Sequence, residues 1–136
     1  MKKLSILFAA FAVLFLVSCG KYEDGPGFSL RSKSSRIAGS WTVEKYTSDG
    51  VDYTSDLAGL TFAFTKSGSY TETYVYLGQT STDTGTWALT SNDEDLTVTY
   101  ADGSIESYKI LRLTDSEFWF SQTSSGTTDL LHLKAK

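Results

Sequence analysis

The sequence predicts an all-β domain, an eight-stranded antiparallel up-and-down meander that closes into a barrel behind a signal peptide and a flexible linker. Three observations carry this. From Gly39 onward, apolar and polar residues alternate in short runs, the period-two signature of half-buried strands. Turn residues separate the runs at close intervals, which favours hairpins over long crossings. Glycine, threonine, serine and aromatic residues abound, while helical periodicity is absent after the first residues.

The chain opens with Lys2 and Lys3 and an apolar run from Leu4 to Val17 broken only by Ser5. That run fits a secretory h-region and falls short of the roughly 20 residues that span a bilayer. The one Ala-x-Ala lies inside the apolar core, the wrong place for ordinary cleavage. Leu16-Val17-Ser18-Cys19 stands at its end and resembles a bacterial lipobox, which implies cleavage before Cys19 and acylation of that residue. Residues 1–18 are then a cleaved lipoprotein signal, and Cys19 carries the membrane tether, since two or more acyl chains anchor stably.

Cys19 is the only cysteine, so the domain has no disulfide, thiol nucleophile or thiolate metal site. Of 12 basic residues, ten remain once Lys2 and Lys3 are removed, against 16 acidic ones, a net charge near −6. So acidic a domain is not expected to bind nucleic acid. Residues 19–36 read as a lipidated flexible linker, rich in glycine and serine and poor in apolar side chains. Its Arg31, Lys33 and Arg36 read as solubilising charge. Glu23 and Asp24 loosely resemble the acidic signal that marks export to the outer face in some Gram-negative groups.

Residues 37–136 form the barrel domain. Trp41 and Val43 share a face of the first strand. Leu60, Phe62 and Phe64 alternate through the second, and Lys66-Ser67-Gly68-Ser69 turns the chain into a third, Tyr70 to Leu77. Gly78 to Asp83 reads as a loop before a fourth strand, Thr86 to Thr90. The fifth carries Leu96, Val98 and Tyr100 in phase. Asp102-Gly103 is a strong hairpin signal before the sixth, Ile105 to Leu113. There the alternation slips between Ile110 and Leu111, which indicates a bulge. Phe118-Trp119-Phe120 and Leu130 to Lys134 complete the eight. The one long connection, Thr47 to Gly59, is expected to form a small flap.

Gly39-Ser40-Trp41 on the first strand, the long first loop and the meander together resemble the lipocalins, and with Cys19 the small lipocalin-like lipoproteins of Gram-negative envelopes. The resemblance covers Ile37 to Lys134. It implies that Trp41 plugs one end of the barrel under a basic residue near the last strand, for which Lys134 and Lys136 are available. Gly85-Thr86-Trp87 repeats the motif on the fourth strand. The family implies a barrel that takes a small apolar ligand.

No catalytic constellation stands out, and no enzyme or cofactor is expected. His132, the only histidine, lies between Leu131 and Leu133 and should face outward without a partner for base catalysis. No Gly-x-Ser-x-Gly elbow is present. Asp93-Glu94-Asp95 lacks the ligand spacing of a calcium loop. Trp119, out of phase with its neighbours, is either an exposed contact or a covered flank. In Tyr70-Thr71-Glu72-Thr73-Tyr74, the tyrosines and Glu72 share one face. Charged residues are seldom buried, so Glu72 is expected to reach water through a bulge or the opposite facing. If it points inward, it is a structural anchor or a ligand contact.

Two functional expectations follow. In one, Trp41, Phe62, Tyr70, Glu72, Tyr74, Trp87, Tyr100 and Phe118 line a site for a small apolar or aromatic-stacking ligand, a lipid or glycan fragment. In the other, the same aromatics fill the barrel, and the protein serves the envelope through its surface and a protein partner. Either way the expected location is the bacterial envelope, lipid-anchored at the outer membrane on its periplasmic or surface face.

Overall fold

The computed structural model describes residues 30–136; the signal, Cys19 and the linker as far as residue 29 lie outside the described residues. A five-residue helix α1 (Lys33–Ile37) leads into β1 (Gly39–Ser48). A two-residue strand β2 (Val51–Asp52) and a 3-10 turn (Thr54–Leu57) follow. Then come β3 (Leu60–Phe64), β4 (Ser69–Tyr76), β5 (Gln79–Thr90), β6 (Asp95–Tyr100), β7 (Ile105–Leu113), β8 (Glu117–Ser124) and β9 (Thr127–Ala135). Sequential antiparallel pairing from β3 to β9, with β1 joining β3 on one side and β9 on the other, closes an eight-stranded barrel. The stub β2 pairs only with the end of β1. No helix among the described residues is long and apolar enough to cross a membrane.

Alternation decides which side chains enter the barrel. On β3, Leu60, Phe62 and Phe64 are buried while Thr61 and Ala63 are half-exposed. The expected bulge is present: Ile110 faces Phe120, the next pair is Arg112 with Trp119, and Leu111 is the extra residue. On β5, Gly85 pairs with Tyr70 of β4 on one side and with Tyr100 of β6 on the other. A Cβ at Gly85 would strike the Thr99 carbonyl oxygen, so only glycine fits. The Tyr70 and Tyr100 rings meet edge to face across it, centroids 5.8 Å apart.

Two expectations are corrected. Gly78 to Asp83 is not a loop; β5 begins at Gln79, after a turn in which Leu77 and Gly78 both take positive φ, 48° and 78°. Those values suit the tight hairpin turn whose twist matches the strands, yet leucine is an unusual occupant. Gln79 to Asp83 have β4 as their only strand partner and are exposed on both faces, so no alternation marked them. The second correction concerns the end of the linker. Ser32 caps α1 by accepting from the Ser35 N–H, and Arg36 Nη1 donates to the Leu113 carbonyl at 2.7 Å. Arg36 is therefore a buried anchor, only 8% exposed, and not solubilising charge. Arg31 adds an exposed ion pair to Asp115 at 2.7 Å.

α1 and the β3–β4, β5–β6 and β7–β8 turns lie at one end of the barrel, which is packed solid. Trp41 donates from Nε1 to the Ile37 carbonyl at 2.8 Å and meets Phe118 edge-on at 5.7 Å. Phe118 in turn meets Phe64 at 6.0 Å, and Phe64 meets Trp87 at 5.8 Å. Trp41 thus fills this end as expected. Lys134 and Lys136 are exposed, however, and the buried cation at this end is Arg36, ahead of the first strand.

Candidate ligand cavity

The other half of the barrel is hollow. A cavity of about 280 Å³ opens beneath the Thr47–Gly59 connection, whose Leu57 forms part of its wall. This is near the small end of the range for ligand sites. Phe62, Phe64, Leu96, Val98, Phe120 and Leu131 give it an apolar floor and sides. Tyr46, Tyr70, Tyr100 and Tyr108 supply rings and hydroxyls, and Glu72, Glu106 and Asp129 supply carboxylates. The solid end becomes the cavity floor through an unbroken series of rings. Tyr70 packs on Phe64 at 5.3 Å, and Tyr108 on Phe120 and Phe120 on Phe118 at 5.1 Å each.

Glu72 faces inward and is half-buried, contrary to the expectation that a bulge or the opposite facing puts it in water. The β4 register keeps it in phase with Tyr70, without a bulge, and Tyr70 Oη donates to Glu72 Oε2 at 2.6 Å. Burial pushes the Glu72 carboxyl above the usual range, helped by Asp83 and Glu106, while the Tyr70 hydrogen bond pulls it back. β7 carries a matching pair: the Tyr108 hydroxyl donates to Glu106 Oε2, and Tyr100 Oη reaches the same oxygen at 3.4 Å. Burial and the adjoining carboxylates hold the Tyr70 and Tyr108 hydroxyls protonated, as donors. On the opposite wall Tyr46 Oη donates to Asp129 Oδ1 at 3.2 Å.

Of the eight residues expected to line a site, the structure brings four to the cavity: Phe62, Tyr70, Glu72 and Tyr100. Trp41, Trp87 and Phe118 lie below it in the solid half, because residues in phase on one strand sit at different heights in a tilted barrel. Trp87 is held there by its Nε1 bond to the Thr65 carbonyl at 2.9 Å. Tyr74 is above the cavity wall, stacked on Tyr76 with Oη 3.4 Å from the Asp56 carbonyl. Glu106 and Tyr108 are not among the eight, although their i, i+2 spacing mirrors that of Tyr70 and Glu72. The signal was in the sixth strand's alternation, where Glu106, Tyr108 and Ile110 share a phase.

His132 does face outward, but it is covered. It stacks on Trp119, rings 4.0 Å apart and nearly parallel, and Arg112 lies 5.1 Å from the same indole. Trp119 is therefore a covered flank, in a cross-strand row that runs Arg112, Trp119, His132 and Lys45.

A lipocalin-like domain model matches residues 37–120, most of the chain. The chain belongs to the lipocalin-like family. The fold is shared with a lipocalin-like protein from Bacteroides uniformis, 18% identical, with a TM-score of 0.54 over 74% of this chain and 99% of that one. It is also similar to a redesigned β-barrel, 16% identical, with a TM-score of 0.50 over 80% of this chain and 99% of that one. No curated protein matches the sequence. A lipocalin-like barrel fold supports a binding-type module.

Proposed function

We propose that this protein is a lipid-anchored binding protein of a bacterial envelope, tethered through Cys19 and holding one small apolar or aromatic-stacking molecule in the hollow half of its barrel. The observation that carries the binding reading is the cavity of about 280 Å³, lined by aromatic rings and a few convergent polar groups. The tether reading rests on the charged start, the short apolar run and Leu16-Val17-Ser18-Cys19. Its work is to sequester or present a ligand at the outer membrane, on the periplasmic or surface face, without catalysing a reaction.

Neutral aromatic and alicyclic probes test the binding reading by calorimetry and thermal shift. A ligand at a hundredfold excess over its Kd should stabilise the fold by about 2.7 kcal/mol. Val98→Phe fills the cavity from its wall and should abolish the response; Leu131→Phe, at a half-buried position, gives a second block. Undiminished binding in both variants would place the ligand elsewhere. The tether is tested apart from this, by fatty-acid labelling of wild type and Cys19→Ser. An unlabelled wild type would sink the lipoprotein reading and leave the cavity untouched.

A second reading rests on the β4–β5 hairpin, whose Val75, Tyr76 and Leu77 are 46%, 60% and 83% exposed. An apolar tip on a projecting ribbon suits contact with another envelope protein. In-cell crosslinking from position 77 in the anchored protein would capture a discrete partner if this holds, and none otherwise.

A further inference from the structure

The cavity is apolar over most of its wall, yet its polar groups share one sign. Glu72, Glu106 and Asp129 line it, and among the described lining residues there is no lysine, arginine or histidine. A more open groove outside it, which shares Glu72, Tyr100 and Glu106, adds Asp83 and Asp102, again without a described cation. We infer that the cavity selects a cationic ligand, an amine carried on a small aromatic or alicyclic body, and rejects the carboxylates of fatty acids. This deepens the binding reading above and rests on it.

The geometry is specific about where such a head would sit. Tyr70 donates to Oε2 of Glu72, while Tyr100 and Tyr108 both donate to Oε2 of Glu106. Oε1 of each carboxylate carries none of these bonds, and an ionised carboxylate has about four acceptor sites in all. An ammonium donates three hydrogen bonds and accepts none, so it matches a wall of acceptors. The Tyr70 and Tyr100 rings, edge to face at 5.8 Å, add faces that attract a cation. A carboxylate ligand would instead meet like charges with no base to offset them.

Holding Glu72 beside Glu106 and across from Asp83 is unfavourable for the empty barrel, because like charges repel and burial takes water from Glu72. A cation at that point relieves both costs. Polar arrangements that burden the fold in this way concentrate at functional sites.

Three probes with one skeleton separate the possibilities: phenethylamine, phenethyl alcohol and hydrocinnamate, titrated by calorimetry at fixed ionic strength and neutral pH. The amine should bind about tenfold tighter than the alcohol or better, and hydrocinnamate weakest. In the double variant Glu72→Gln, Glu106→Gln the amine-to-alcohol ratio should fall to within about threefold. Hydrocinnamate binding as tightly as the amine, or an amine no better than the alcohol, would overturn the inference while leaving the cavity a binding site. So would an amine preference that survives in the double variant. Failure of all three probes would overturn the binding reading and this inference with it. The wild-type comparison needs no variant, so a misfolded double variant leaves the test standing.

Discussion

At the scale of the residue, Glu72 carries the most consequence. Its raised pKa means that the folded state holds the carboxyl proton more tightly than the unfolded chain does. The cost of the charge is absent below the ordinary carboxylate range, grows as pH rises through it, and is complete above the raised value. Glu72→Gln keeps an acceptor for Tyr70 and removes that charge. It should stabilise the empty protein by about 1 kcal/mol at neutral pH, a modest figure because the group is partly solvated. The gain should vanish below about pH 4, and urea melts at the two pH values measure it. Ligand binding should show the opposite trend, with phenethylamine affinity rising as Glu72 ionises among Tyr70, Tyr100, Asp83 and Glu106. The spacing of Tyr70 and Glu72 was legible in the sequence. Against it stands the general rarity of buried carboxylates, and the structure adds the tyrosine donor at 2.6 Å that partners this one. His132 shows the same limit. Alternation gave its direction but not its stacking on Trp119, so His132→Ala should cost about 0.5–1.5 kcal/mol, where a free surface residue would cost almost nothing.

At the scale of the element, strands whose two faces differ were readable and those whose faces are alike were not. β3 and β6 alternate cleanly and fall where expected, as does the bulge at Leu111. The first half of β5 is polar on both faces, and its turn puts leucine where glycine or asparagine is usual, so nothing announced it. Helix α1 is too short for a periodic signal, and its place is fixed by a long-range bond from Arg36 to Leu113. Arg36→Ala should therefore cost about 1–3 kcal/mol, an effect a flexible linker residue would not give. Gly85 is the converse case, a motif visible in the sequence whose reason is steric. Gly85→Ala should cost about 1–3 kcal/mol or more in denaturant melts, since the new Cβ meets backbone that cannot swing away.

At the scale of the whole molecule, the two interiors expected as alternatives occur together, one at each end. Trp41, Phe64, Trp87 and Phe118 fill the end beside α1, while the tyrosines and carboxylates line a cavity at the other. Alternation indicates that Trp41, Phe64, Trp87, Phe118, Tyr70 and Tyr100 point inward, but not that the carboxylates join them; the height of each along the barrel follows from strand tilt, which alternation does not encode. The division of labour predicts different penalties. Phe118→Ala should cost about 3–5 kcal/mol of stability, as deletion of a fully buried ring does. Cavity substitutions such as Val98→Phe should weaken binding more than folding. The central claim, that the ligand occupies the hollow half against the tyrosine–glutamate wall, is tested most directly by a crystal of residues 30–136 soaked with para-bromophenethylamine. Anomalous bromine density should appear inside the barrel above Phe64 and Phe120, with the amine beside Glu72 and Glu106. Bromine found only on the outer surface, or a cavity that remains unchanged at saturating ligand, would contradict it.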